Sequence, residues 1–138
     1  MLLAAVDGSA VGAVHAGWRG LAGGVLEVAV AELCSIAECA PDRIVAWLGA
    51  CIGPKTFEVG ADVLAAFGTS APPRFVPHRQ GKWLADLAGL ARDRLATLGV
   101  GRIDGGDWCT VSEPSRFFSF RRDGVTGRMA AAVWIAGD

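Results

Sequence analysis

An imidazole, an indole and a guanidinium fall within five residues in the run Ala13-Val14-His15-Ala16-Gly17-Trp18-Arg19-Gly20. A neutral imidazole with a pKa of about 6.5 moves protons or binds a metal near neutral pH. A guanidinium beside the unpaired amides of a helix start makes a pocket for phosphate or carboxylate. His15 is thus the candidate catalytic and metal-ligating residue, and Arg19 with Gly20 the candidate phosphate site. The competing readings are a satisfied structural histidine and, for Arg19, a surface salt bridge to Glu27 or Asp42. Trp18 either stacks on a planar ligand or plugs an edge of the core, with the core preferred. Gly17, Gly20, Gly23 and Gly24 match neither a G-x-G-x-x-G nor a P-loop pattern.

Three further groups carry chemistry. Cys109 follows Gly105-Gly106-Asp107-Trp108, where it is either a presented thiol, nucleophilic and soft toward metals, or a small buried hydrophobe. Cys51, before Gly53-Pro54, is left open; Cys34 and Cys39 read as packing or helix-surface residues, and His78 as a solvent-exposed loop residue. Arg121 and Arg122 follow Phe117-Phe118-Ser119-Phe120, and strand alternation points them to opposite faces. One of the pair, Arg121, is the candidate for a substrate pocket, and the other is solvated.

The elements that must position these groups are read from periodicity. Leu2 to Val6 and Ala10 to Val14 flank Asp7-Gly8-Ser9 as a β-hairpin, so His15 falls at a strand end. Leu21, Val25, Val28, Leu33 and Ile36 share a helical face within a helix from Leu21 to Ala40, closed by Pro41-Asp42. Arg43 to Gly49 is a buried strand, Cys51 to Lys55 a turn, Glu58 to Phe67 a short helix, and Thr69 to Pro77 extended. Trp83 to Leu98 is the best-marked helix, stopping at Gly99. Arg102 to Asp104, Phe117 to Arg121 and Met129 to Ile135 read as strands. This order predicts an α/β or α+β domain with a mixed sheet.

Composition narrows the function classes. The 138 residues are 52% hydrophobic with a formal net charge of -1, enough apolar material for one core and no basic stripe for nucleic acid. No run approaches the roughly 18 to 20 apolar residues of a membrane span, and the amino terminus has no secretory pattern, so a cytoplasmic protein is the simplest expectation. Four cysteines without a C-x-x-C pair are expected to be reduced thiols.

Four collinear islands carry a family resemblance: His15-Ala16-Gly17-Trp18-Arg19-Gly20; Leu48-Gly49-Ala50-Cys51-Ile52-Gly53-Pro54 with Phe57-Glu58-Val59; Gly105-Gly106-Asp107-Trp108-Cys109-Thr110; and Phe117 to Arg122 through Thr126-Gly127-Arg128-Met129-Ala130. Through them nearly the whole chain resembles the YfiH-like family of laccase-domain or polyphenol oxidase proteins, also described as purine nucleoside phosphorylases with adenosine deaminase activity. The resemblance implies a layered α/β/β/α fold with mixed β-sheets. It implies a zinc site of two histidines and a cysteine, in which His15 matches the second histidine, and purine nucleoside and phosphate as substrates. The other two ligands lie, in that family, upstream of the strand with which these residues open. Residues 1 to 138 are therefore expected to be a single domain that forms the carboxyl-terminal half to two thirds of a larger one, with an incomplete active centre of its own.

Three rival functions follow. A copper-dependent polyphenol oxidase would need many imidazoles, and the sequence has two histidines and no His-x-His pair. A cysteine hydrolase would use a Cys-His pair. A fragment that only binds nucleosides needs no metal. Oligomeric state is left undetermined by the sequence.

Overall fold

The computed structural model describes residues 1–68 and 73–137, and these divide into two compact units. The first comprises Met1–Gly49, Ala91–Gly106 and Ala130–Asp138, the second Ala50–Leu90 and Asp107–Met129.

The first unit is built on the expected hairpin. β1 (Leu2–Ala5) and β2 (Val11–Ala13) run antiparallel with Leu2 opposite Ala13 and Ala4 opposite Val11. Asp7 Oδ1 accepts hydrogen bonds from the Ser9 amide at 3.0 Å and the Ser9 hydroxyl at 2.7 Å, fixing the turn locally. β1 also pairs antiparallel with β3 (Ile44–Leu48), and β3 pairs in parallel with a strand at Arg102–Gly105. The mixed four-stranded sheet thus has hairpin, β3 and Arg102–Gly105 side by side. Leu3, Ala5, Ile44, Ala46 and Leu48 are buried, the alternation of strands with one covered face.

The single helix expected from Leu21 to Ala40 is two. α1 spans Trp18–Ala22 and α2 spans Val25–Ala37. Between them Gly24 takes φ +86°, a left-handed conformation that glycine adopts without steric cost. The break resets the phase. Leu26, Val30 and Leu33, spaced i, i+4, i+7, are the buried positions of α2, whereas Val28 and Ile36, assigned to the core face by counting through the break, are 63% and 70% exposed. α2 ends at Glu38, which is left-handed at φ 49°, and a single 3-10 turn at Pro41–Arg43 leads into β3.

The second unit holds a three-stranded antiparallel sheet. β4 (Glu58–Val59) and β5 (Phe75–Arg79) flank β6 (Lys82–Ala85). Two expected helices start later than predicted, because their first residues join this sheet. Glu58 and Val59 form β4 and the helix that follows, α3, covers Ala61–Ala66. Trp83 to Ala85 pair with Phe75 to Pro77, and α4 covers Leu87–Thr97. Asp86 makes the transition: its Oδ1 accepts from the Gly89 amide at 2.8 Å as a helix cap, and its Oδ2 from Arg74 at 3.1 Å. Of the extended run expected from Thr69 to Pro77, residues 69–72 lie outside the described residues and Phe75 to Pro77 belong to β5. The Arg102–Gly105 strand is β7 in chain order.

The two last expected strands are absent among the described residues. Phe117 to Phe118 are irregular, and Phe120–Asp123 form a single helical turn, α5, whose first amides are met by Ser119. Met129 to Ile135 take no regular structure, and Met129, Trp134 and Ile135 are exposed. Apolar composition marks a strand only where a neighbouring backbone completes the ladder, and no pairing is formed here among the described residues. The two sheets and accompanying helices are those of an α/β protein, as expected. No helix among the described residues is long and apolar enough to cross a membrane.

Candidate functional site

His15 lies in the loop Val14 to Gly17 that joins β2 to α1, at the strand end where the sequence puts it, and it is exposed. The ring folds back over Gly17: a β-carbon there would stand 3.3 Å from His15 Nε2, so glycine leaves the imidazole its space. α1 starts at Trp18 with Gly17 as its cap, three residues before the expected start at Leu21, and Gly20 therefore sits inside the first turn. Arg19 is exposed, with its guanidinium carbon 4.4 Å from the centroid of the Trp18 ring. Trp18 is half-buried, and its ring lies against the Arg19 guanidinium.

The salt bridge offered as the alternative for Arg19 is not made. Glu27 Oε1 accepts instead from Arg94 at 2.5 Å. Burial pushes the Glu27 carboxyl up, and the Arg94 hydrogen bond and charge more than offset it, so its pKa lies below the ordinary carboxylate value.

The second unit contains Arg121, His78 and the cysteines Cys51 and Cys109. Arg121 is on α5 and exposed; it donates to the main-chain oxygen of Glu58 at 3.1 Å and lies over the Phe57 ring at 5.6 Å. The Glu58 carboxylate is gripped by both sides of the Arg79 fork, at 2.7 and 2.6 Å, with His78 Nε2 at 3.7 Å. The Arg79 hydrogen bonds hold Glu58 below its ordinary pKa. His78 is exposed as expected, on strand β5 where a loop was predicted.

Arg122 is not the solvated member of the pair. It is half-buried, and its guanidinium donates to the main-chain oxygens of Thr110 (2.7 Å), Val111 (3.2 Å) and Phe117 (3.0 Å) as well as to Asp123. A five-donor fork can close three carbonyls and a carboxylate at once. Strand alternation does not apply to this pair because α5 is a helical turn, and a single arginine in a sequence carries no signal of which carbonyls it reaches.

Those carbonyls shape the Cys109 loop. Cys109 Sγ accepts from the Gly53 amide at 3.2 Å and the Ser112 amide at 3.4 Å, and lies 3.3 Å from Thr56 Oγ1. The Cys109 amide donates to Glu113 Oε1 at 3.0 Å, and the Glu113 amide to the Cys109 oxygen at 3.1 Å. The sulfur therefore occupies the position that a serine or aspartate oxygen takes at a helix start. Burial raises the thiol pKa, but hydrogen bonds from Ser112, Thr56 and the Gly53 amide win, and it is held down to about 6. Of the two readings of Cys109, the presented thiol is the one the geometry favours. Just before it, Gly105 and Gly106 have φ of +75° and +81°, and a β-carbon on Gly105 would sit 2.4 Å from the Leu48 oxygen.

Among the described residues no group of three or more His, Cys, Asp or Glu side chains could hold a metal ion. A catalytic zinc takes about three protein ligands and an open position. His15 can supply one ligand, and these residues do not by themselves make a zinc or copper centre.

Comparison with known proteins places this arrangement. The model of the family described as multi-copper polyphenol oxidoreductase laccase matches residues 1–136, and the chain belongs to that family. It is 50% identical over 140 residues to a purine nucleoside phosphorylase of Xylella fastidiosa, covering 98% of this chain and 52% of that protein. It is also 50% identical to purine nucleoside phosphorylase YfiH of Escherichia coli, covering 93% of this chain and 52% of that one. The crystal structure of Neisseria meningitidis protein NMB0706 aligns with a TM-score of 0.83 at 48% identity, over 89% of this chain and 50% of that chain. The resemblance to YfiH-like proteins is thereby borne out. The chain spans about half the length of the curated relatives it matches.

Proposed function

We propose that this chain serves a purine nucleoside phosphorylase, which transfers the ribosyl group of inosine or adenosine to phosphate, with adenosine deamination as a second activity. The relatives' names support the reaction class. The observation in this chain that carries the reading is Arg19: exposed, stacked on Trp18, adjacent to exposed His15, and without a carboxylate partner among the described residues. In phosphorolysis the bond from the anomeric carbon to the purine nitrogen breaks and a bond from that carbon to a phosphate oxygen forms. The purine leaves with a proton. A guanidinium fork that has no competing anion is suited to hold the attacking phosphate, with the Gly20 amide in the first turn beside it. Arg121 is the further substrate-binding residue in this proposal.

His15 is proposed as one ligand of a zinc ion, which when bound would supply Lewis acidity. Copper is the alternative that the family description names. The rival of a nucleoside-binding chain without catalysis predicts binding and no turnover.

The test is phosphate-dependent release of hypoxanthine from inosine, measured on the polypeptide as it stands and on one extended to the length of its relatives. In the active form, Arg19→Ala should raise KM for phosphate by at least ten-fold, about 1.4 kcal/mol, while kcat falls less. Hypoxanthine release that ignores phosphate, or an unchanged KM in Arg19→Ala, defeats the reading.

A further inference from the structure

Cys51 and Cys109 are partners in an isolated parallel β-bridge. The Cys51 amide donates to the Trp108 oxygen at 3.3 Å and the Thr110 amide to the Cys51 oxygen at 2.8 Å, so the backbones on either side of Cys109 are tied to residue 51. Neighbouring strands lie about 4.8 Å apart and directly paired residues project to the same face. That separation falls within the roughly 4.4–6.8 Å between α-carbons that a disulfide spans. Both thiols are half-buried and free.

From this juxtaposition we infer that Cys51 and Cys109 form a dithiol–disulfide pair, with Cys109 as the attacking thiol, Cys51 as the resolving thiol and a low-molecular-weight disulfide as the oxidant.

The two sulfurs are asymmetric in the sense such chemistry needs. Cys109 rests in a nest of donors that stabilises its thiolate. Cys51 is pushed above its ordinary pKa, chiefly by burial and further by the negative charge of Asp86 and by Cys109, and it points its hydrogen at the Ile52 oxygen at 3.5 Å. The Cys109 thiolate attacks one sulfur of the small disulfide; that sulfur–sulfur bond breaks, a mixed disulfide forms on Cys109, and one small thiolate leaves. Cys51 then loses its proton to the solvent or to the departing thiolate, and its sulfur attacks Cys109 Sγ. The protein disulfide forms and the second small thiolate leaves. Two protein thiols are oxidised and one small disulfide is reduced to two thiols.

Attack rates follow thiolate fraction and intrinsic nucleophilicity. At pH 7 a thiol with a pKa of about 6 is about nine-tenths thiolate, against about one per cent for an ordinary cysteine. A Brønsted slope near 0.45 takes back roughly twenty-fold of that gain. Cys109 should therefore react about three- to six-fold faster at pH 7 than a thiol of ordinary pKa, and more slowly than such a thiol at high pH.

The experiment treats the whole chain with oxidised glutathione at pH 7 and maps disulfides by peptide mass spectrometry over time. The expected course is glutathione on Cys109 first, then a Cys51–Cys109 crosslink with loss of the two thiol hydrogens. In Cys51→Ser the glutathione adduct on Cys109 persists. A second measurement needs no substitution: iodoacetamide labelling of the native chain against pH, where Cys109 should show a midpoint near 6. A crosslink confined to Cys34 and Cys39, a glutathione adduct that persists on wild-type Cys109, or a Cys109 labelling midpoint in the ordinary range overturns the inference.

Discussion

The His15 loop and the Cys109 loop carry reactive side chains in opposite ways. His15 and Arg19 stand exposed at the join of β2 and α1, and the contacts that define them are a glycine under the ring and an indole under the guanidinium. Their chemistry lies in the residue types, and the scaffold beneath does not depend on them. Cys109 is an ordinary thiol made acidic by Gly53, Thr56 and Ser112, in a loop whose carbonyls Arg122 ties together. Its chemistry belongs to the fold. Side chains at the first place should be removable with little loss of structure, whereas at the second, reactivity and structure should change together.

That contrast can be broken at its base. Leu26 is a fully buried residue of α2, the helix next in sequence to the His15 and Arg19 turn. Leu26→Ala should cost about 2–5 kcal/mol in urea unfolding, as for other buried leucines. A loss below about 1 kcal/mol would mean that the broken-helix phase is wrong and that Val28 and Ile36 face inward after all.

Proton linkage at Cys109 sharpens the other side. Its folded pKa is depressed to about 6, so between that pH and the ordinary thiol value the unfolded chain holds a proton that the folded chain has lost. Stability should rise as pH is raised from about 6 to about 9, and the contribution should vanish as pH falls through 6. Thermal melts across this range should show the rise in wild type. Thr56→Val, which removes one donor from the sulfur, should move its lower edge upward and shrink it. Parallel profiles would show that the thiol is not tied to the fold. The smallest effect is expected for His15→Ala, whose exposed ring should leave unfolding free energy within about 0.5 kcal/mol of wild type. A larger loss would make His15 the structural residue of the competing reading.

Much of the first unit was legible in the sequence because its signals are local. Asp7-Gly8-Ser9 sets a turn with its own side chains, and Ile44 to Leu48 alternates as a buried strand must. The errors arose where local pattern met a distant partner. Trp83 to Ala85 continue the apolar spacing of α4 by accident, and it is pairing with Phe75 to Pro77 that makes them strand. Met129 to Ile135 read as a strand, but among the described residues no ladder is formed around them. Gly23-Gly24, which match no phosphate-loop pattern, are a helix break, and counting the apolar period through them puts Val28 and Ile36 on the wrong face. At the site, His15 and Arg19 were visible by type. The acidity of Cys109 was not, since amides of residues 53 and 112 have no letter in the sequence, and only the glycine pair before it hinted at an unusual backbone.

Gly53 bears on all of this through what it lacks. A β-carbon there would lie 3.0 Å from Cys109 Cβ and 3.1 Å from its sulfur, tighter than ordinary contact. One added methyl group would cork the approach to the sulfur and pry its amide donor away in the same motion. The bare hydrogen at position 53 thus leaves the sulfur its seat, and a homologous chain with alanine there would have to shift the Cys109 side chain by a few tenths of an ångström, loosening the nest that keeps the thiolate.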